Sequence, residues 1–500
     1  MTWFSDMFVP KKAKQLPLFL YNTLGKEKQE FKLPPGVKTV RMYNCGPTVY
    51  GVQHIGNLSM FVFADILRHT LEYNGFTVKQ VINFTDFGHL SGDNAGDADQ
   101  GEDRMMKGLK RDGLEVTMEN MRAMAEKYAS VFLADIGRLS IDTTKITFPR
   151  ASDYIQAQIA MIQTLEEKSY AYKASDGVYF DTSRFPEYGA LGDMNLQGNK
   201  GGARVAMISD KRGPSDFALW KFSDDAVLGW DSPWGRGFPG WHIECSAMIR
   251  KTLGEQIDIH TGGIEHIAIH HNNEIAQSEC CTGRKPFCRF WLHRAHLQLD
   301  GAKFAKSENR VTYLSEIIER GFHPLAFRYL LLGSHYRTGA NFTWEALEAA
   351  QTAFLRIRQT IDAIPDAPTT PPEQYRARWH HCFNDDLDTP GALAVLWDMI
   401  KDTKHVSPAE LKAGIIDIDR VFGLGFAEPD LLATSLYKAQ FGILVDPDEL
   451  PQHIQQLIEQ RTKARETHDW PTADKLRTEI EQHGYALEDA EQGVRVFKKS

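Results

Sequence analysis

The stretch Asn44–Asn57, Asn-Cys-Gly-Pro-Thr-Val-Tyr-Gly-Val-Gln-His-Ile-Gly-Asn, limits what this chain can fold into more than any other. Ahead of it, Thr39 to Tyr43 places Val40 and Met42 on one face of a short strand. Behind it, Leu58, Phe61, Val62 and Ile66 recur at helical spacing up to an Asn74-Gly75 turn, and Thr77 to Phe84 reads as a second strand. Strand, Gly/Pro loop, helix and strand make a βαβ unit, whose ligands sit beyond the carboxyl ends of its strands. Cys45 and Thr85 each fall at such an end, and His54 to Asn57 lies where the helix starts. Free N–H groups and a partial positive charge there suit a phosphate. A short His-Ile-Gly at a turn is common by chance, so the rest of the chain has to decide.

A length of 500 residues accommodates three or four domains. The net charge of −9 excludes a globally basic nucleic-acid binder, but leaves room for a local basic face. Six scattered cysteines (45, 245, 280, 281, 288, 382) form no disulfide framework and point to a reducing cytoplasm with free thiols. No apolar run approaches the roughly 20 residues of a membrane span. Lys11, Lys12 and Lys14 follow Phe8 where a signal-peptide core would have to stand.

Along the chain, residues 1 to 18 carry no clear period. Leu114 to Ile136 and Tyr154 to Lys168 have helical spacing, and Val178 to Trp241 reads as short strands and Gly/Pro loops. A second βα unit follows: strand Gln256–His260, loop Thr261–Gly263, then a helix through Cys281 closed by Gly283. Phe290 to Leu299 is expected to be a further strand, and Asp300-Gly301 opens a loop holding Lys303, Lys306 and Ser307. Thr312 to Ile364 is helical, Pro365 to Pro372 reads as a linker, and Arg376–Phe422 and Gln452–His483 are again helical. The expected fold is thus α/β: a parallel sheet with an inserted domain, followed by an all-α C-terminal region.

His270 and Glu274 stand four apart on one helix face. With Cys45 and Cys245 they would give zinc two soft thiolates, an imidazole and a replaceable carboxylate. Equally, the histidines could lie on the surface, and buried cysteines are common core residues.

Taken together, these stretches resemble the cysteinyl-tRNA synthetases, a class I aminoacyl-tRNA synthetase family. That family's Cys-Gly-Pro-Thr-Val-Tyr stands at Cys45–Tyr50, and its HIGH signature corresponds to His54-Ile-Gly-Asn57. Asp216–Lys221, Trp230–Gly235 and Gly240–Met248 are likewise family stretches. His-His-Glu-Asn-Glu reads His270-His-Asn-Asn-Glu274, and KMSKS reads Lys303-Phe-Ala-Lys-Ser307. Ala464-Arg465, Asp469-Trp470, Ala473-Asp474 and Leu487-Glu-Asp489 match an anticodon-binding domain. The resemblance spans residues 19 to 500.

It implies a Rossmann-like class I synthetase sheet, with a catalytic domain in two halves (19–136 and 240–300) around a connective insertion at 137–239. A KMSKS-like loop and helical stem-contact region (301–364), a helical bundle (373–440) and an anticodon-binding domain (441–500) follow. The implied activity is that of a cysteine–tRNA ligase, using ATP with Mg²⁺, L-cysteine and tRNA(Cys), and acting as a cytoplasmic monomer. Zinc would be held by Cys45, Cys245, His270 and Glu274, and cysteine by Thr85, Trp241 and His260. ATP chemistry would fall to His54, Asn57, Lys303 and Lys306, with Ser307 also binding ATP, and the anticodon to Arg465, Trp470, Asp474 and Asp489. Asn57 replaces the second HIGH histidine, Asn272 a glutamate, and Phe304-Ala305 a Met-Ser pair. Neither lysine nor the first histidine is lost. Two other readings remain: a cysteine ligase acting on an amino sugar, which would lack the C-terminal third, and a synthetase-like RNA-binding protein without catalysis.

Overall fold

The computed structural model describes residues 16–87, 104–192, 210–223, 228–299, 311–441, 443–445, 450–490 and 493–498. Lys303, Lys306 and Ser307 lie outside them. The chain divides into two compact units: residues 1–320, 331–343 and 380–390 form one, and 321–330, 344–379 and 391–500 the other.

In the first unit a hairpin, β1 (Phe19–Asn22) and β2 (Glu27–Glu30), leads into β3 (Thr39–Asn44). Helix α1 (Ile55–Tyr73) follows, capped by His54, whose side chain accepts from the Asn57 N–H. It ends where Gly75 takes φ +82°, a conformation open to glycine, and β4 (Thr77–Ile82) returns parallel to β3. The expected βαβ unit is therefore present. Helices α2 (Arg104–Arg111) and α3 (Met118–Arg138) lead to β5 (Ile146–Thr147), which pairs with β4. The fifth strand of the main sheet thus falls inside the 137–239 stretch expected to be wholly inserted.

The inserted layer comes after it. Helix α4 (Ile155–Glu167) precedes an antiparallel sheet of β6 (Ala171–Ala174), β7 (Gly177–Phe180), β8 (Phe217–Phe222) and β9 (Gly237–Pro239). Its core joins α4 to Val178, Phe180, Leu219 and the fully buried Trp220.

The chain returns through α5 (Trp241–Thr252), β10 (Ile257–Gly263), the short α6 (Glu265–Ala268), α7 (His270–Thr282) and β11 (Cys288–Arg294). Cys245 therefore sits on α5, in its second turn. Gly283 closes α7 as expected, at φ +75°. The strand expected over 290–299 is broken: β11 stops at Arg294, Ala295 N donates to the Tyr336 carbonyl at 2.9 Å, and pairing resumes only at Gln298–Leu299.

The main sheet runs β11-β10-β3-β4-β5, and every pair is parallel. On one face Phe63, Leu67 and Leu71 of α1 meet Met42, Ile259, Phe290 and Leu292. On the other, Tyr43, Val81 and Trp291 meet Cys245, Met248 and Ile249 of α5. Burial on both faces is what an all-parallel sheet requires. It places the ends of β3 and β10, and the starts of α1, α5 and α7, around one mouth.

The second unit is mostly helical, including Trp344–Asp362, Thr389–Lys401, Pro408–Phe422, Gln452–Glu466 and Trp470–Gln482. Ser407 and Glu410 form a reciprocal capping box ahead of Pro408. The C-terminal region is nevertheless not all-α. Ile443–Val445, Tyr485–Ala490 and Gly493–Lys498 make an antiparallel sheet under the last two helices. Nor does Pro365–Pro372 divide the units, because residues 380–390 belong to the first. Among the described residues no helix is long and apolar enough to cross a membrane.

Candidate metal and nucleotide site

Cys45 follows the last residue of β3, with its N–H bonded to the Thr261 carbonyl at 3.2 Å. The next residue fixes the turn. A Cβ on Gly46 would lie 1.6 Å from the Asn83 carbonyl oxygen, while Gly46 N donates to Asn83 Oδ1 at 2.8 Å. Only glycine lets these two strand ends approach so closely. Opposite, α5 brings in Cys245 and the first turns of α7 bring in His270 and Glu274.

Ligand atoms of Cys45, Cys245, His270 and Glu274 all lie within 4.8 Å of one another. His270 Nε2 is 3.0 Å from Glu274 Oε1, and Cys45 Sγ is 3.9 Å from the same oxygen. Metal bonds of about 2.0–2.3 Å put tetrahedral donors about 3.3–3.8 Å apart, so the set fits zinc with little movement. Two thiolates, an imidazole and a carboxylate are also the right chemistry for it. Hydrogen bonding from Cys45 lowers the Cys245 thiol to about 6, so this sulfur is an anion at neutral pH. Glu274 is driven up by burial but more strongly down by His260 and His270, to about 2. Burial works against the charge on His270, yet its bonds to Cys245 and Glu274 raise it to about 10.

Other histidines surround these donors. His260 Nε2 lies 3.0 Å from Glu274 Oε2, and its ring stacks on Trp291 at 4.7 Å. His242 Nδ1 is 2.9 Å from His270 Nδ1, and His271 Nδ1 is 2.8 Å from His293 Nε2. Burial pushes His242, His271 and His293 well below the ordinary histidine range, so they stay neutral. Cys45, His260, His271 and Glu274 form a second four-donor set that shares two members with the first. Sequence alone assigns no role to His242 or His293 and allows His270 and His271 to be surface histidines, whereas the latter two are both buried. Their signal was present in His270-His271 and Trp241-His242, but their partners come from other elements.

The expected cysteine-binding residues converge on the same mouth. Thr85 Oγ1 donates to Glu244 Oε2 at 3.2 Å, and Trp241 lies 4.5 Å from the His270 ring, centroid to centroid. At the start of α1, Asn57 is exposed and its Nδ2 donates to Gln53 Oε1 at 2.7 Å. Gln53 is held in turn by bonds from its Nε2 to the Thr48 and Gly51 carbonyls, both at 3.2 Å.

In the second unit Asp489 accepts from Arg461 NH1 and NH2 at 2.7 and 2.8 Å, and from Arg465 NH1 at 2.8 Å. Arg461 is 2% exposed, so this carboxylate neutralises a buried charge as well as facing outward. Trp470 is 52% exposed, with the Arg465 guanidinium 5.7 Å from its ring. Asp474 is exposed on the same helix as Trp470.

Comparison with known proteins identifies the family. The family described as tRNA synthetases class I (C) catalytic domain matches residues 33–352, and the cysteinyl-tRNA ligase anticodon binding domain matches residues 447–496. Cysteine–tRNA ligase 1 of Burkholderia lata is 43% identical, over 96% of this chain and 97% of its own. Cysteine–tRNA ligase of Treponema denticola is 38% identical, over 97% of this chain and its whole length. Methionyl-tRNA synthetase of Mycobacterium tuberculosis, solved with methionyl-adenylate, shares the fold at a TM-score of 0.50 and 13% identity, over 80% of this chain and 91% of its own. With both halves of the family's architecture matched nearly end to end, the chain belongs to the cysteine–tRNA ligases, a family of class I tRNA synthetases.

Proposed function

We propose that this chain joins L-cysteine to ATP, forming cysteinyl-adenylate, and passes the cysteinyl group to the 3′ end of tRNA(Cys). In the first step a cysteine carboxylate oxygen attacks the α-phosphorus, the bond to the β-phosphate oxygen breaks, and pyrophosphate leaves. In the second, a hydroxyl of the terminal ribose attacks the cysteinyl carbonyl and AMP leaves. No covalent enzyme intermediate is needed, so the protein's work is positioning and charge stabilisation. His54 and Asn57 hold phosphate oxygens at the start of α1. Lys303 and Lys306, with Mg²⁺, neutralise the departing pyrophosphate, and Ser307 also binds ATP.

Cys45, Cys245, His270 and Glu274 hold one zinc ion. When bound, it supplies a soft Lewis-acid position that takes a thiolate in preference to serine's hydroxyl. Shape alone rejects such an isostere by only about a hundredfold. The observation that carries this reading is the meeting of these four donors from three elements in one buried cluster. The set with both thiolates is preferred over its overlapping neighbour because sulfur favours zinc. Thr85, Trp241 and His260 shape the pocket for the rest of the amino acid.

We assign the sheet on both sides of the insertion to activation, together with the KMSKS-like loop that opens 301–364, the helical rest of 301–364 to contact with the tRNA stem, and 441–500 to the anticodon, through Arg465, Trp470, Asp474 and Asp489. A ligase acting on an amino sugar would have no use for that last region. Thiols outside any disulfide, such as Cys245, Cys280 and Cys288, suit a reducing cytoplasm.

Cysteine-dependent exchange of pyrophosphate into ATP tests the reading, with serine as control and zinc counted in the same preparation. Cys245→Ser is expected to lower zinc below half occupancy and to weaken cysteine binding far more than ATP binding. Full zinc with unchanged cysteine affinity would remove Cys245 from the site.

A further inference from the structure

Arg294 ends β11 and is 3% exposed. Among the described residues its guanidinium has a single hydrogen-bond partner, Ser59 Oγ, to which Nε donates at 3.1 Å. That hydroxyl is neutral and is itself turned to the Gly56 carbonyl, at 2.7 Å. Three other buried arginines are paired with carboxylates: Arg68 with Asp65, Arg358 with Asp362 and Arg461 with Asp489. Burial brings Arg294 down to about 10, which still leaves it cationic at neutral pH. An unpaired buried charge is costly, and one kept at the mouth of a site marks a place where an anion arrives.

The position says which anion. Side chains alternate along a strand. Trp291 packs toward α5, and His293 reaches His271 beside the metal donors. Phe290 and Leu292 face α1, and Arg294 continues their row, as its bond to Ser59 of α1 shows. It therefore stands on the side of the sheet that carries His54 and Asn57, away from the cluster that would hold the substrate's sulfur.

We propose that Arg294 binds the phosphate chain of ATP, a step that deepens the ligase reading and rests on it. Tethered through Nε to Ser59, the guanidinium keeps both terminal nitrogens for two phosphate oxygens, the forked geometry in which arginine binds phosphate best. Ser59 is the positioning residue: it aims the fork and ties it to Gly56, inside the signature. Among the described residues no carboxylate neutralises this charge, and the nucleotide relieves it.

The test compares wild type, Arg294→Gln and Arg294→Lys by calorimetric titration with ATP, adenosine and L-cysteine, together with melting temperatures without nucleotide. Arg294→Gln is expected to weaken ATP about tenfold or more, while adenosine and cysteine stay within about twofold. Arg294→Lys is expected to recover part of the loss, as a point charge without the fork. Without nucleotide, Arg294→Gln should melt no lower than wild type, because no ion pair among the described residues is broken. Unchanged ATP affinity, an equal loss for adenosine, a loss confined to cysteine, or a melting temperature lowered by several degrees would each overturn the assignment. Failure of the wild type to exchange pyrophosphate with cysteine would defeat the ligase reading instead, and the ATP-against-adenosine comparison would still decide Arg294.

Discussion

Asn57 stands where the family signature has its second histidine, and one of its amide hydrogens is already given to Gln53. The other N–H remains available on an exposed side chain beside the helix start. An imidazole at the same place could offer one N–H as well, so Asn57→His is expected to leave the exchange rate within about threefold of wild type. Asn57→Asp keeps the shape but sets a negative charge against phosphate, and should slow exchange about a hundredfold. Steady-state exchange kinetics measure both, and a dead Asn57→His enzyme would show that the amide does more than donate one hydrogen bond. At this scale the sequence was informative about identity and silent about pairing. Cys45, Cys245, His270 and Glu274 could be named from the chain, and they do meet. That His242 would face His270, or that Arg461 would hold Asp489, depends on elements distant in sequence.

Helix α7 shows how an element serves the site. Its first turns carry His270, His271 and Glu274, and its far end is closed by Gly283 in the left-handed region, donating to the Glu279 carbonyl at 2.7 Å. A Cβ on Gly283 would meet nothing within 4 Å. Gly283→Ala therefore isolates the backbone cost, and should destabilise the first unit by about 1 kcal/mol without changing zinc content. The denaturation midpoint and a metal assay check this, and a loss of zinc would mean that the helix end is coupled to its start. This stop was legible because glycine at C′ has a local cause. The break of β11 after Arg294 was not, since it depends on Tyr336 taking the next N–H. The strand Ile146–Thr147 was missed for another reason: two residues carry no period.

The whole chain is cut differently from its composition. Prolines 365 to 372 read as the boundary, but residues 380–390 return to the first unit. There Asp386 accepts from Tyr21 N, Tyr336 Oη and Arg337 Nε at 2.7–2.8 Å. Truncation at Pro371 would remove that anchor and damage the catalytic unit directly. The separable piece begins later. Leu450, Ile454, Ile480, Leu487 and Val496 form their own core, with Val445 packed against it. Ile443–Val445 pairs with Gly493–Lys498, so the piece must include that strand. Its sequence from 451 carries eight Lys/Arg against nine Asp/Glu, which leaves bulk charge with no part in binding. Recognition has to rest on particular groups, and Trp470 offers the largest exposed aromatic face among them, stiffened by Arg465. Asp489 is a poor probe, because its loss would strand the buried Arg461. Trp470→Ala is the cleaner change: the side chain is half exposed, so folding should lose little, while stacking of an unpaired base is worth about 1–3 kcal/mol. Charging of tRNA(Cys) at subsaturating tRNA should fall about 5- to 100-fold in this variant, and cysteine-dependent pyrophosphate exchange should not change. Deletion of 443–500 should deepen the first effect and still spare the second. Undiminished charging in both proteins would take anticodon reading away from this region, and a parallel loss of exchange would show that activation depends on it.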